Sequence, residues 1–386
     1  MKKKIILTIK NLLNLSSFLI LFLIFVLFLL PKNLFSKDCP RAVELLKQAQ
    51  ISEDDAVKDL YTNAIKLCPT LKEAYYNLGV YYFEKKDFDN AIRNFKEALK
   101  IKKSSLFLVA LGKAYAEKND CEKAERAYRE AVIISSNNIK ARLGIAICHA
   151  KNGDIDGAIN VLKEALKIDD TDEMVLYNLA KLYEYNKDTS LAKEYYKKAI
   201  LNNEMFFKPY KRLGIINYKE NNLSEAKNYL RSCVSINQND AECYFILSKI
   251  YEKENNDEKA ILNLLRASEL DKNNTVFAKA LATSFLKSNH PERAMEVLLE
   301  KKSLLGADYN YYSLLGVALM ELGKYSEAEA HFKKALKINP LCAETYNNLG
   351  VLYKRLIRFD EAKSNFDKAL SIDSNNKEAK QNLENL

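Results

Sequence analysis

One alanine recurs down this chain at a nearly fixed interval: Ala91, Ala124, Ala158, Ala192, Ala226, Ala260, Ala294, Ala328 and Ala362. The step is 33 residues once and 34 residues seven times. Self-similarity at such a period marks a stacked array of supersecondary units and excludes a set of unrelated globular domains. If this alanine is position 20 of each unit, position 7 is Leu in eight of the nine units and Ile145 in the other. Position 8 is always Gly, Ala or Ser, from Gly79 and Gly112 to Gly316 and Gly350. Position 11 is mostly aromatic (Tyr82, Tyr115, Tyr183, Tyr251, Phe285, Tyr353), and position 24 is large and apolar (Phe95, Tyr128, Leu162, Phe332, Phe366). Position 27 is Ala except at Cys233 and Lys301.

Helix packing explains the pattern. Small residues at 8, 20 and 27 let two backbones approach, and large residues at 7, 11 and 24 fill the grooves between them. Spacings of 4 and 7 within each half place these side chains on one helical face. Polar breaks separate the halves (Lys86-Asp87, Asn152-Gly153-Asp154, Asn221-Asn222) and the units (Asn137-Asn138, Asp169-Asp170, Asn339-Pro340). Each unit therefore reads as helix, turn, helix, turn. Only 10 Gly and 6 Pro occur in 386 residues, too few for a turn-rich sheet protein, and 48% apolar content rules out disorder.

Tyr75-x-x-Leu78-Gly79-x-x-Tyr82…Ala91-x-x-x-Phe95 and Tyr346-x-x-Leu349-Gly350-x-x-Tyr353…Ala362-x-x-x-Phe366 resemble the tetratricopeptide-repeat (TPR) signature. The resemblance implies an all-α fold, a right-handed α-solenoid of tandem helical hairpins. It covers nine repeats over residues 72–376, with a degenerate hairpin at 38–71 and a polar capping helix at 377–386. The least regular unit is 275–308, where Lys301 replaces a packed alanine and Gly306 replaces the closing proline, so a local irregularity or hinge is expected.

Residues 1–37 differ from the repeats and form a hydrophobic segment with its core at 12–30, after Lys2-Lys3-Lys4. As a helix, this core is about long enough to cross a bilayer. Three readings stand: a retained signal-anchor, a signal peptide cut near Ser36, or acylation at Cys39. The first makes a single-pass membrane protein with a cytoplasmic N-terminus and the TPR array outside the cytoplasm. The second makes an exported protein.

Nothing in the sequence assembles an enzyme. His149 fills the aromatic slot at position 11, and no two of His149, His290 and His331 share a metal-binding spacing. No glycine-rich phosphate loop or nucleophile elbow occurs. No cofactor, metal or small-molecule substrate is expected. The formal charge is +9, and six of the lysines lie in residues 1–37 with no acid there, so the body is nearly balanced and nucleic acid is not an expected partner.

The resemblance implies a superhelix whose concave wall is built by positions 2, 5, 9, 12 and 13 of each first helix. Rings and cations mix there, and the expected partner-binding residues are Tyr76, Tyr177, Lys181, Tyr185, Lys211, Tyr218, Phe245 and Lys249. Such a surface suits a protein or peptide, including an acidic or C-terminal segment. The Lys-and-Asn pattern of the carboxylate clamp in chaperone-binding TPRs is absent. The expected function is a non-catalytic adaptor outside the cytoplasm. The alternative is a regulatory or assembly subunit of an envelope enzyme, pilus or secretion complex. Seven cysteines are present, with no C-x-x-C pair. Cys39 and Cys68 fall at ends of two antiparallel helices that meet, where a bond could form, whereas Cys148 and Cys233 fall at packed positions.

Overall fold

The computed structural model describes residues 39–52 and 56–386. Among them there are 22 helices and no strand. They divide into two compact units, the first reaching Ala192 and the second starting at Lys193.

The first unit holds α1 (Cys39–Ile51), α2 (Ala56–Leu67), α3 (Lys72–Glu84), α4 (Phe88–Ile101), α5 (Ser105–Glu117), α6 (Cys121–Ile134), α7 (Ile139–Lys151), α8 (Ile155–Leu166) and α9 (Glu173–Tyr185). The unit boundary falls within α10 (Thr189–Asn202). The second unit continues with α11 (Phe207–Lys219), α12 (Leu223–Ile236), α13 (Ala241–Lys253), α14 (Asp257–Leu270), α15 (Thr275–Lys287), α16 (Pro291–Glu300), α17 (Lys302–Leu305), α18 (Tyr309–Glu321), α19 (Tyr325–Ile338), α20 (Ala343–Arg355), α21 (Phe359–Ile372) and α22 (Lys377–Glu384). Within each unit, helices pack chiefly on their sequence neighbours and more thinly on the next helix but one. That is the short-range contact scheme of a repeat stack.

The hairpin turn of each of the nine repeats from α3 onward is built the same way. The first helix ends on a residue with positive φ: Lys86, Asn119, Gly153 and Lys187 in the first unit, and Asn221, Asn255, Asn289, Gly323 and Ile357 in the second. The next N–H then reaches back to the position-11 carbonyl, as from Asp87 to Tyr82 at 2.8 Å and from Arg358 to Tyr353 at 2.9 Å. This left-handed cap satisfies carbonyls that the helix end would otherwise strand. Several second helices start on an aspartate whose carboxylate accepts a free N–H: Asp87 from Asn90, Asp120 from Lys123 and Asp154 from Gly157.

All nine copies of the recurring alanine are fully buried. The small residue at position 8 exists because the ring at position 24 lies on it. A Cβ added at Gly79 would sit 2.6 Å from Phe95, and one at Gly350 would sit 2.6 Å from Phe366. The irregular unit is also visible. The helix breaks at Lys301, leaving α16 at ten residues and adding the single turn α17. Leu305 turns inward to 1% exposure, and the Tyr312 hydroxyl donates to the Gly306 carbonyl at 2.9 Å, closing the space the missing turn leaves.

Two expectations about the N-terminus need correction. Single-pass membrane placement does not stand, because no helix among the described residues is long and apolar enough to cross a membrane. The segment 12–30, from which an anchor or a cleaved leader was read, lies outside the described residues. Acylation of Cys39 also fails, because its sulfur is bonded to Cys68 with the Cα atoms 5.1 Å apart. That bond joins the start of α1 to the residue just past α2.

Candidate functional site

In the first unit, Tyr76 on α3 stacks on Phe107 of α5 at 4.9 Å between ring centroids and tilts against Phe95 at 5.8 Å. Tyr76 and Phe95, with Val80, Phe83, Leu106, Val109, Lys113 and Lys140, line a cleft of about 250 Å³. Burial holds the Tyr76 hydroxyl above its ordinary pKa. A second cleft, of about 330 Å³, lies between α7 and α9 and is lined by Leu143, Ile147, Ala150, Asn178 and Lys181. The Lys181 ammonium lies 5.9 Å from the centre of the Tyr177 ring, within cation–π range. Tyr185, at the end of α9, is 73% exposed. Tyr177 and Lys181 are thus brought together, whereas Tyr76 belongs to a separate cleft.

In the second unit, Phe245 of α13 packs on Phe277 of α15 at 4.9 Å, and the Lys249 ammonium lies 5.5 Å from the Phe245 ring centre. Lys211, Phe245 and Phe277 line a cleft of about 540 Å³ with Asp240, Glu242 and Val276. Tyr218 is packed against the core of α12 and α13, with Lys253 over its ring at 4.9 Å.

The charges here differ from the sequence-based picture. Lys211 is held by Asp240 at 3.1 Å and Glu242 at 2.7 Å, and Lys249 by Glu252 at 2.9 Å. Burial works against the Lys211 ammonium, but its hydrogen bonds to Glu242 and Asp240 outweigh it and hold the pKa above the ordinary value. Lys279 repeats the arrangement two repeats later, on Asp308 at 2.6 Å. Position-5 lysines in this unit therefore tie one first helix to the cap of the next. The positive surface expected at Lys211 and Lys249 is offset by the chain's own carboxylates. His149 lies in its packed slot with Nδ1 2.5 Å from Asp154 and Nε2 3.4 Å from Glu125.

Position 2 was expected on the concave wall, but three of its side chains were not among the expected binding residues. Leu106 (57% exposed), Val276 (53%) and Lys140 all border the clefts. The signal was available as a large residue on the solvent side of a first helix, outside the hairpin's packing pattern.

Family profiles described as Tetratricopeptide repeat match residues 73–105, 115–182, 175–204, 209–240, 241–274 and 308–375. The chain belongs to the tetratricopeptide-repeat family. No curated protein matches it. Among solved structures it is similar to YrrB, described as a TPR protein with an unusual peptide-binding site, at 22% identity and a TM-score of 0.42 over 50% of this chain and 98% of YrrB. It is similar to PilF of Pseudomonas aeruginosa at 20% identity and a TM-score of 0.47, over 53% of this chain and 94% of PilF. It is similar to MamA at 22% identity and a TM-score of 0.38, over 42% of this chain and 95% of MamA.

Proposed function

We propose that this chain is a non-catalytic scaffold whose first helices receive an extended or helical segment of a partner protein. One observation carries the reading. Large apolar side chains stay exposed on the face of the first helices that points away from the hairpin core: Leu106, Ile147 and Val276, each at the edge of a cleft. Exposed apolar surface bordered by charge is the character of a protein-binding face. Tyr76, Tyr177, Lys181 and Tyr185 serve this role in the first unit, and Lys211, Tyr218, Phe245 and Lys249 in the second. Because Lys211 and Lys249 already hold carboxylates, apolar and aromatic anchors of the partner supply more of the affinity than its acidic groups do.

Peptides selected from a displayed library against the full chain test this. Leu106→Asp with Ile147→Asp should weaken the selected peptides at least about tenfold, or about 1.4 kcal/mol. Ile133→Asp, on a still more exposed apolar residue of a second helix, should leave binding unchanged. Loss in Ile133→Asp with retention in the double variant would refute the reading.

A further inference from the structure

Six of the seven cysteines lie beside another cysteine. Cys39 is bonded to Cys68. Cys148 lies against Cys121, and burial together with that neighbour raises its thiol pKa to about 12. The third pair is Cys233 and Cys243, both fully buried, with sulfurs 2.6 Å apart. That distance is well inside non-bonded contact and within reach of a sulfur–sulfur bond of about 2.05 Å. We propose that Cys233 and Cys243 form a disulfide that staples α12 to α13.

The sequence pattern agrees. Position 27 is alanine in seven of the nine repeats, and Cys233 is one of its two exceptions. The residue it meets across the repeat junction, at position 3 of the next unit, is another cysteine. Neither side chain is required by the packing of a hairpin, since Ala74 and Ala141 fill position 3 elsewhere.

The competing use of these groups is a cation site, because Asp240 lies within 4.8 Å of both sulfurs. The geometry disfavours it. Two thiolates on one tetrahedral zinc, each at about 2.3 Å, stand about 3.8 Å apart. Asp240 is already committed: its carboxylate accepts the Cys243 N–H at 3.1 Å and both its oxygens accept from Lys211 at 3.1 Å. The lysine ammonium would also repel a cation.

The chemistry is thiol–disulfide exchange with a small or protein disulfide as oxidant. The oxidant's sulfur–sulfur bond breaks, both cysteine S–H bonds break and one Sγ–Sγ bond forms. The oxidant leaves as two thiols carrying both electrons and both protons. Exchange needs a thiolate with access to the oxidant. In the folded protein the neighbouring Cys233 and burial hold the Cys243 thiol protonated, so the bond forms before α12 and α13 close on each other. Once formed, it fixes the junction that carries the Lys211–Asp240 pair and so one wall of the α11–α13–α15 cleft.

Mass spectrometry of the full chain decides it. The protein is purified without reductant, unfolded in denaturant with an alkylating reagent, and cleaved after Glu242, which separates the two cysteines. The expected result is one linked species, unalkylated at both positions, that falls into two on reduction. In Cys233→Ala, which installs the residue typical of position 27, Cys243 should become fully alkylated. Alkylation of both cysteines in the wild type, or a bond from either one to Cys342, would overturn the assignment. Bound zinc accompanying free thiols would replace it with the cation site.

Discussion

At the scale of single residues, the repeat depends on a few positions whose chemistry is set by backbone geometry. Position 15 must adopt positive φ in every hairpin, and Asn or Gly fills it in six of the nine. Ile357 is the exception that conflicts with its backbone: φ is 60° for a β-branched side chain that is 75% exposed and gains little from packing. Strain of this kind costs about 1–3 kcal/mol. Ile357→Asn should therefore stabilise the protein by about 1 kcal/mol, read as a higher denaturant midpoint with an unchanged slope. An unchanged or lower midpoint would refute the strain. His331 makes a second case. Burial first, then the Lys334 charge, lower its pKa, and its Nδ1 is buried without a hydrogen-bond partner. Lys302 adds to the depression and Glu327 opposes it. The folded state thus prefers neutral imidazole and the unfolded state binds the proton more readily. The stability this contributes is present above the unfolded pKa of about 6.5 and is lost as pH falls through the folded value. Between about pH 7.5 and about pH 5.5 the wild type should lose more stability than His331→Gln. Parallel loss in both would remove His331 from the account.

At the scale of the element, legibility followed period. The helices were readable because packing imposes the same small and large residues at the same positions, and the alanines at position 20 are all buried. The break in the irregular unit was signalled by Lys301, a lysine at a packed position, and by Gly306. The compensating inward turn of Leu305 was not, because it depends on the neighbouring Tyr312. Backbone amides in 301–305, where regular helix hydrogen bonding is interrupted, should exchange with deuterium faster than the equivalent residues 335–339. Equal protection would mean the second helix is continuous in solution. The capping aspartates show a different limit. Asp240 reads as an ordinary cap in the sequence, and only its three-dimensional neighbours reveal that it also anchors Lys211.

At the scale of the whole molecule, a chain whose helices contact chiefly near neighbours offers a long series of similar surfaces, and the candidate binding residues carry no fixed sequence mark. The Tyr76 cleft and the Tyr177–Lys181 contact are legible because rings and cations at first-helix positions stand out. Leu106 and Val276 were missed because a lone apolar residue in a helix resembles core until its exposure is known. The apparent basicity of Lys211 was overread for the complementary reason: its acidic partners Asp240 and Glu242 are 29 and 31 residues away along the chain, whereas the Lys249–Glu252 pair, at i,i+3 on one helix, was legible and not weighed. Short-range contacts also mean that damage stays local. Phe95→Ala should loosen exchange protection in α3–α5 and leave α18–α21 unchanged; a uniform loss would contradict a nearest-neighbour stack.

The central claim, that partners seat on the exposed face of the first helices, is tested most directly by site-specific photocrosslinking of the full chain in its native cells. A photoreactive side chain is placed in turn at Leu106, Ile147 and Val276, and at the still more exposed Ile133 and Leu201 of second helices. The account predicts a discrete adduct of the same partner from the first-helix positions and none from the second-helix positions. Adducts confined to Ile133 and Leu201 would contradict it.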